Sequence, residues 1–348
     1  MRRGAGPTTV EDDVRPAAWR ATYPAGVTGV CFLSEGHHAV LSFGDGTLRF
    51  LTPEADGVAV SEQVRAHAGA VLHLCPDHDG RAALSGGDDG RLVRVSPDGT
   101  VEALAAFPGR WIDATAASAA GRMRAVASGR EVRLIGADGT VRACAPPAPS
   151  TVAALAFNAR GKRLALAHYG GVTLHWTANP EGGTPLRWVG SHLAMTWSPD
   201  DRHLVTSMQE MALHGWRLPA GKDFRMAGYP AKTRSFSWNA KGALLATAGS
   251  DSAVVWDFGR KGPEGRPPQQ HGRRDDALVT HVAYNPRHDL LAFAWDDGSV
   301  TMAGPSGRTA QVDRLAGRPA GLAWSADGHL LACGTEDGAA ALWRMPRG

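Results

Sequence analysis

The 14 histidines are the first residues to test for chemistry, because imidazole is the commonest transition-metal ligand. The densest set of soft donors is His192, Met195, Met208, Met211 and His214, whose imidazoles and thioethers could together hold copper(I). Methionine more often fills irregular gaps in an apolar core, so packing is the stronger reading and no metal ligand is assigned. The segment Asp77-His-Asp-Gly80 opens like a calcium loop. Arg81 then occupies the fifth position, where an oxygen donor is required, and no glutamate closes the loop, so the segment is a turn. The sequence contains no nucleophile elbow, phosphate loop, dinucleotide fingerprint or His-Glu-x-x-His pair. The 4 cysteines, Cys31, Cys75, Cys144 and Cys333, are scattered and signal neither a zinc site nor a disulfide framework. The expectation is therefore a protein with no catalytic residue and no cofactor, not an enzyme.

Any functional residue must be positioned by a repeat, and the last copy is the clearest. Residues 322–343 hold an apolar alternation ending at Trp324, an Asp-Gly turn at Asp327 and Gly328, and a second apolar run through Cys333. Another Asp-Gly turn at Asp337 and Gly338 leads into a third run that closes on Trp343. Period-2 alternation broken by Asp-Gly is a strong hairpin signal, since the short turn needs a positive φ that glycine tolerates. Each unit is thus three antiparallel strands, a, b and c. The a–b turn glycine, or its substitute, recurs at Gly36, Gly80, Gly121, Gly161, Asp201, Gly242, His288 and Gly328. That spacing gives eight units of roughly 40 residues.

The aromatic before this turn recurs at Phe32, Phe157, Trp197, Trp238, Tyr284 and Trp324, and the one closing strand c at Phe50, Trp176, Trp216, Trp256 and Trp343. Aromatics at matched repeat positions belong in the core between neighbouring sheets. Fourth strands, d, are legible around residues 105–109 and 224–231, and a phrase of the same kind stands alone at residues 17–26. His37, His38, His78, His203, His288 and His329 fall in or beside a–b turns. Packed sheets lie about 10 Å apart and zinc ligands must approach to about 2.1 Å, so histidines on successive units cannot easily share an ion.

The period, the strand order and these aromatics resemble the WD40-repeat β-propellers, from residue 17 to the end. The resemblance implies an all-β propeller of four-stranded blades, eight by this count, or seven if the degenerate first or third unit is lost. It also implies a structural hydrogen-bonded set of His before strand a, Ser or Thr in b, Asp in the b–c turn and Trp in c. His67, Ser85 and Asp89 match that set, with Val95 in place of the tryptophan, and Trp324 and Trp343 stand at structural core positions. Trp256-Asp257 is the only literal Trp-Asp dipeptide that closes a strand c. Propellers of this family close by pairing the two ends of the chain. The eighth unit stops at Trp343 without a strand d, and the lone strand at residues 17–23 is expected to supply it, which removes exposed sheet edges. Residues 1–15 are expected to be a flexible tail and residues 16–348 a single domain, with residues 258–276 inserted after the sixth unit and holding its strand d.

With 43% hydrophobic and 20% charged residues over 348, the chain can bury a large core. No run of about 18 apolar residues could cross a membrane. No apolar segment follows the amino-terminal arginines, so a cytoplasmic monomer without a membrane partner is expected. A net charge of +3 gives no argument for nucleic acid, and the excess of Arg over Lys with abundant Ala suggests a GC-rich bacterial genome.

The resemblance implies a protein-interaction scaffold whose contact face is built from d–a connections and b–c turns. Units four to seven break the repeat there. The fourth turn reads His168-Tyr169-Gly-Gly171, and the fifth, Met208-Gln209-Glu210-Met211, gives up its glycine. That departure costs roughly 1 kcal/mol if φ is positive. The d–a connections add His192, Lys232 and Arg234, and the seventh turn adds Trp295 and Asp296, which completes the candidate partner face. The alternative is a small ligand or metal bound at the channel mouth near units four to six.

Overall fold

The computed structural model describes residues 17–35, 37–259 and 262–345. The expected tail at residues 1–15, the turn glycine Gly36 and two residues of the 258–276 insertion lie outside the described residues. Within them every regular element is a β-strand. The second unit shows why. Val71–Pro76, Ala83–Gly87, Arg91–Val95 and Val101–Ala106 alternate apolar and polar residues between tight turns and pair antiparallel in that order. Gly80 and Gly90 take positive φ, 68° and 75°, in the two turns, where a side chain would be strained.

The hydrogen-bonded sheets among the described residues number seven. Counted this way the propeller has seven blades, not the eight expected, and the reason is not the loss of a degenerate unit. The first unit (Val27–Phe32, Ala39–Phe43, Thr47–Glu54, Gly57–Val60) and the third (Ala114–Ser118, Met123–Ser128, Glu131–Gly136, Val141–Ala145) each form their own sheet. Units four and five instead share one six-stranded sheet through a single long strand, Asn179–Trp197. Its first half pairs with Arg163–Trp176, Leu186 opposite Val172, and its second half with His203–Met208, Trp197 opposite Leu204. Where other units loop from strand d to the next strand a, this strand runs on through Gly190 at φ 130°. All eight a–b pairs are retained, two of them in that one sheet.

Neighbouring inner strands are stapled by the repeated aromatic. Trp197 Nε1 donates to the Ala156 carbonyl at 3.1 Å, Trp238 Nε1 to Thr196 Oγ1 at 3.0 Å, and Trp324 Nε1 to the Ala283 carbonyl at 2.9 Å. Each indole reaches back to strand a of the preceding unit, which explains why tryptophan recurs here. Trp324→Phe keeps most of the ring volume but removes the donor that reaches the Ala283 carbonyl. It should therefore lower stability by about 1–2 kcal/mol in urea unfolding. An unchanged midpoint would mean that the indole contributes bulk alone.

The first and last described strands pair with each other. Ala17–Thr22 pairs antiparallel with Ala339–Arg344 of the eighth unit, Arg20 opposite Ala341 and Thr22 opposite Ala339. Trp343 is fully buried and its Nε1 donates to Asp313 Oδ2 at 3.0 Å, which ties the eighth unit to the seventh. The insertion after the sixth unit does hold that unit's fourth strand, Gln269–His271, paired with Ala253–Asp257.

Candidate functional site

The structural set expected in the second unit is assembled. His67 Nδ1 lies 3.0 Å from Asp89 Oδ1 and its Nε2 lies 2.9 Å from Ser85 Oγ. A carboxylate only accepts, so the Nδ1–H donates to Asp89 and Nε2 accepts the serine proton. Burial pushes the Asp89 carboxyl up, but the Ala68 N–H, His67 and the Arg91 N–H outweigh it and hold the group below its ordinary value. A second set escaped the sequence reading. In the sixth unit Tyr229 replaces the histidine: its hydroxyl lies 2.7 Å from Thr247 Oγ1 and receives the Trp256 Nε1–H at 2.7 Å. Burial raises the Tyr229 hydroxyl to about 12, so it stays protonated. The signal lies in the Tyr229, Thr247 and Trp256 spacing, with tyrosine where the family set has histidine.

The channel through the inner strands opens in two cavities. One, of about 840 Å³, lies at the a–b turns and is lined by strand ends such as Phe32, Phe157, Tyr284 and Trp324. The other, of about 420 Å³, lies on the opposite face, where strands a begin, and is lined by Thr28, Leu72, Lys232, Arg234, His281, Arg318 and Glu336 among others. This second face carries the expected partner residues.

The structure divides those residues. Tyr169, Gln209, Glu210, Lys232 and Arg234 are exposed on that face. His168, His192 and Trp295 are not, and their assignment to the contact surface is corrected. His168 is buried between its Tyr169 carbonyl (Nδ1, 2.8 Å) and Thr173 Oγ1 (Nε2, 2.9 Å), holding the fourth turn closed. His192 is fully buried between Thr206 Oγ1 at 2.7 Å and the Trp188 carbonyl at 3.2 Å. Trp295 is the last residue of a strand b, and its ring turns inward against Phe293 while Nε1 donates to Thr301 Oγ1 at 3.0 Å. Asp296 is half-buried and its Oδ1 accepts the Leu278 N–H at 3.0 Å, so it orders the d–a connection.

Exposed large apolar residues on the same face fill the gap. Tyr169 is 61% exposed, Val189 81% and Trp111 61%. Tyr169 faces Ser191 across the shared sheet, and the Gln209 N–H donates to the Ser191 carbonyl at 2.9 Å, so the fourth turn, the d–a link and the fifth turn form one surface. Trp111 sits in a connection without periodicity and Val189 where the shared strand runs on through the d–a link, so the repeat marks neither. Met211 takes a φ of 53°, the strained geometry expected for a turn that gave up its glycine. Met211→Gly should raise stability by about 1 kcal/mol, read as a higher urea midpoint. An unchanged or lower midpoint would show that the side chain's contacts offset the strain.

The soft-ligand residues sit in different surroundings. Both nitrogens of His192 are engaged, Met208 is buried and Met211 is exposed. His214 stacks on Trp188 at 4.0 Å. Its Nε2 lies 3.3 Å from Asp223 Oδ2, but neither ring nitrogen has the alignment of a hydrogen bond. Burial holds its pKa down to about 4, so it is neutral at pH 7. Among the described residues no three His, Cys, Asp or Glu side chains are grouped to hold a metal, and no helix is long and apolar enough to cross a membrane.

Comparison with known proteins gives matches in two parts of the chain. The family model described as WD domain, G-beta repeat, matches residues 60–94, which contain His67, Ser85 and Asp89. The model described as anaphase-promoting complex subunit 4 WD40 domain matches residues 282–348. Transducin beta-like protein 3 of Bos taurus is 30% identical over 159 residues, 44% of this chain and 19% of the relative, and the Rattus norvegicus protein matches to the same extent. The chain thus spans about a fifth of the length of these curated relatives. A crystal structure of the computationally designed Ika8 protein superposes with a TM-score of 0.74 at 17% identity, covering 93% of this chain and 97% of that one. This last likeness concerns the fold alone.

Proposed function

We propose that this chain, a WD40-repeat β-propeller, works as a non-catalytic protein-interaction scaffold in the cytoplasm, with the face of the b–c turns and d–a connections as its contact surface. The observation that carries the reading is the surface joining Tyr169, Val189 and Met211, with Trp111 on the same face. Solvated loops gain nothing from large exposed apolar side chains, whereas aromatic residues of this kind anchor partners. A strained Met211 at its edge fits a turn kept for contact, not for stability.

The test is affinity purification from the native host with partner identification by mass spectrometry, using the parent chain and a Trp111→Ala, Tyr169→Ala, Val189→Ser variant. The variant should lose the captured partner while its stability falls by no more than about 1 kcal/mol, since surface changes are mild. A control changing His37 and His78 at the a–b turns should keep capture. Loss in the control and retention in the first variant would move the contact surface to the other face.

A further inference from the structure

We propose that the channel mouth on the contact face binds a peptide segment with an acidic tip and neutral or basic flanks; this names the partner class of the scaffold reading and rests on it. Lys232, Arg234 and Arg318 converge on the 420 Å³ mouth. Lys232 and Arg234 are exposed, and neither has a hydrogen-bond or ion-pair partner among the described residues. Arg318 has Glu336 at 3.8 Å, with both side chains more than half exposed at 56% and 60%. Glu336 is the one carboxylate in the cavity lining, so three cations face one loosely held anion. His281 adds no charge, because burial and then Arg318 hold its pKa down to about 4. Several arginines elsewhere are committed: Arg124 to Asp77, Arg110 to Glu131, Arg274 to Asp276 and Asp297.

Three of the surrounding b–c turns carry the opposite sign. Asp88, Glu210 and Asp337, on the b–c turns of units two, five and eight, are exposed and pair with no cation among the described residues. A long polyanion such as nucleic acid would be repelled by that rim before reaching the centre. One or two carboxylates at the tip of a peptide would pass it, pair with the guanidinium forks and displace Glu336 from Arg318. Leu72, 42% exposed at the same mouth, offers an apolar contact beside the cations, so an aliphatic residue next to the carboxylates completes the match.

A fluorescent peptide with a central Glu-Glu-Leu flanked by lysines, titrated into the full chain, tests this. It should bind at least about tenfold more tightly than its Gln-Gln-Leu counterpart and than hexaglutamate, and its affinity should fall with added salt. Lys232→Glu, Arg234→Glu and Arg318→Glu combined should weaken it by about tenfold or more, and the milder triple Gln variant should weaken it in the same direction. Arg81→Glu on the opposite face should leave it unchanged, and melting temperatures would confirm that all variants fold. Equal binding of the Gln-Gln-Leu peptide, or an unaffected triple variant, overturns the proposal. Tighter binding of a single-stranded oligonucleotide through the same three residues overturns it in favour of a nucleic-acid site. If the peptide fails while the Trp111, Tyr169 and Val189 variant still loses its captured partner, the scaffold reading stands and only the acidic-tip chemistry falls.

Discussion

Replacing Arg124 with methionine is expected to destabilise the chain by about 3–5 kcal/mol, because it strands a buried carboxylate. Arg124 Nε and Nη2 each reach an oxygen of Asp77 at 2.6 Å, and Nη1 donates to the Gly136 carbonyl at 2.8 Å. The side chains are 3% and 0% exposed, so water cannot replace what is lost. Arg94 Nε, 2.9 Å from Asp77 Oδ2, would remain, but it also serves Asp79. Removing both partners as Arg124→Met with Asp77→Leu should recover much of the loss, since a well-packed apolar pair is often as stable as a buried ion pair. Urea unfolding of the two single variants and the double variant reads the coupling directly. A cost below about 1 kcal/mol for Arg124→Met would mean that water enters this junction between the second and third units.

This ion pair shows where the sequence stops being legible. Asp77-His-Asp-Gly80 could be read as a turn from its own residues. Its anchor lies 47 residues away on the next unit, and nothing in the repeat marks Arg124 as different from a surface arginine. What was legible is local. Asp-Gly turns and period-2 alternation gave the strands, and matched aromatics gave the inward face except at Trp176, which is 50% exposed with the Arg163 guanidinium over its ring, because both depend on neighbours in the chain. Side-chain direction inside an irregular turn does not follow from such patterns. His168 and Tyr169 are adjacent, yet one closes the turn and the other stands in solvent. The left-handed residue of an a–b turn is equally hard to place: the third unit puts it at Arg122 (φ 48°), one residue after Gly121. The shared strand of units four and five escaped for a related reason. An unbroken β pattern through Gly190 differs from a loop only by whether the chain bends, and the partners on both sides decide that.

Deleting residues 1–26 should have the largest effect of all, because it removes the outer strand of the eighth unit's sheet. Ala17–Thr22 supplies the partner for Ala339–Arg344, and the Tyr23 N–H donates to the Gly338 carbonyl at 2.9 Å just beyond it. Arg20 pairs with Asp313 of the seventh unit. Trp19 and Tyr23 pack on the cluster that includes Phe43, Leu330 and Leu342, with the Tyr23 ring 5.0 Å from Phe43 and edge-on to it. The half-buried apolar surface of this strand contributes on the order of 5 kcal/mol, enough to take most of the stability of an ordinary domain. Its loss also bares an edge of Ala339–Arg344, whose run of Ala, Leu and Trp has little charge to discourage pairing with another chain. The truncated protein should therefore melt far below the parent and elute as higher oligomers in size-exclusion chromatography. A synthetic peptide of residues 17–26 added in trans should restore monomer and melting temperature in a concentration-dependent way, since it binds only the folded form. A truncated chain that stays monomeric at the parental melting temperature would show that this strand decorates the propeller without holding it closed.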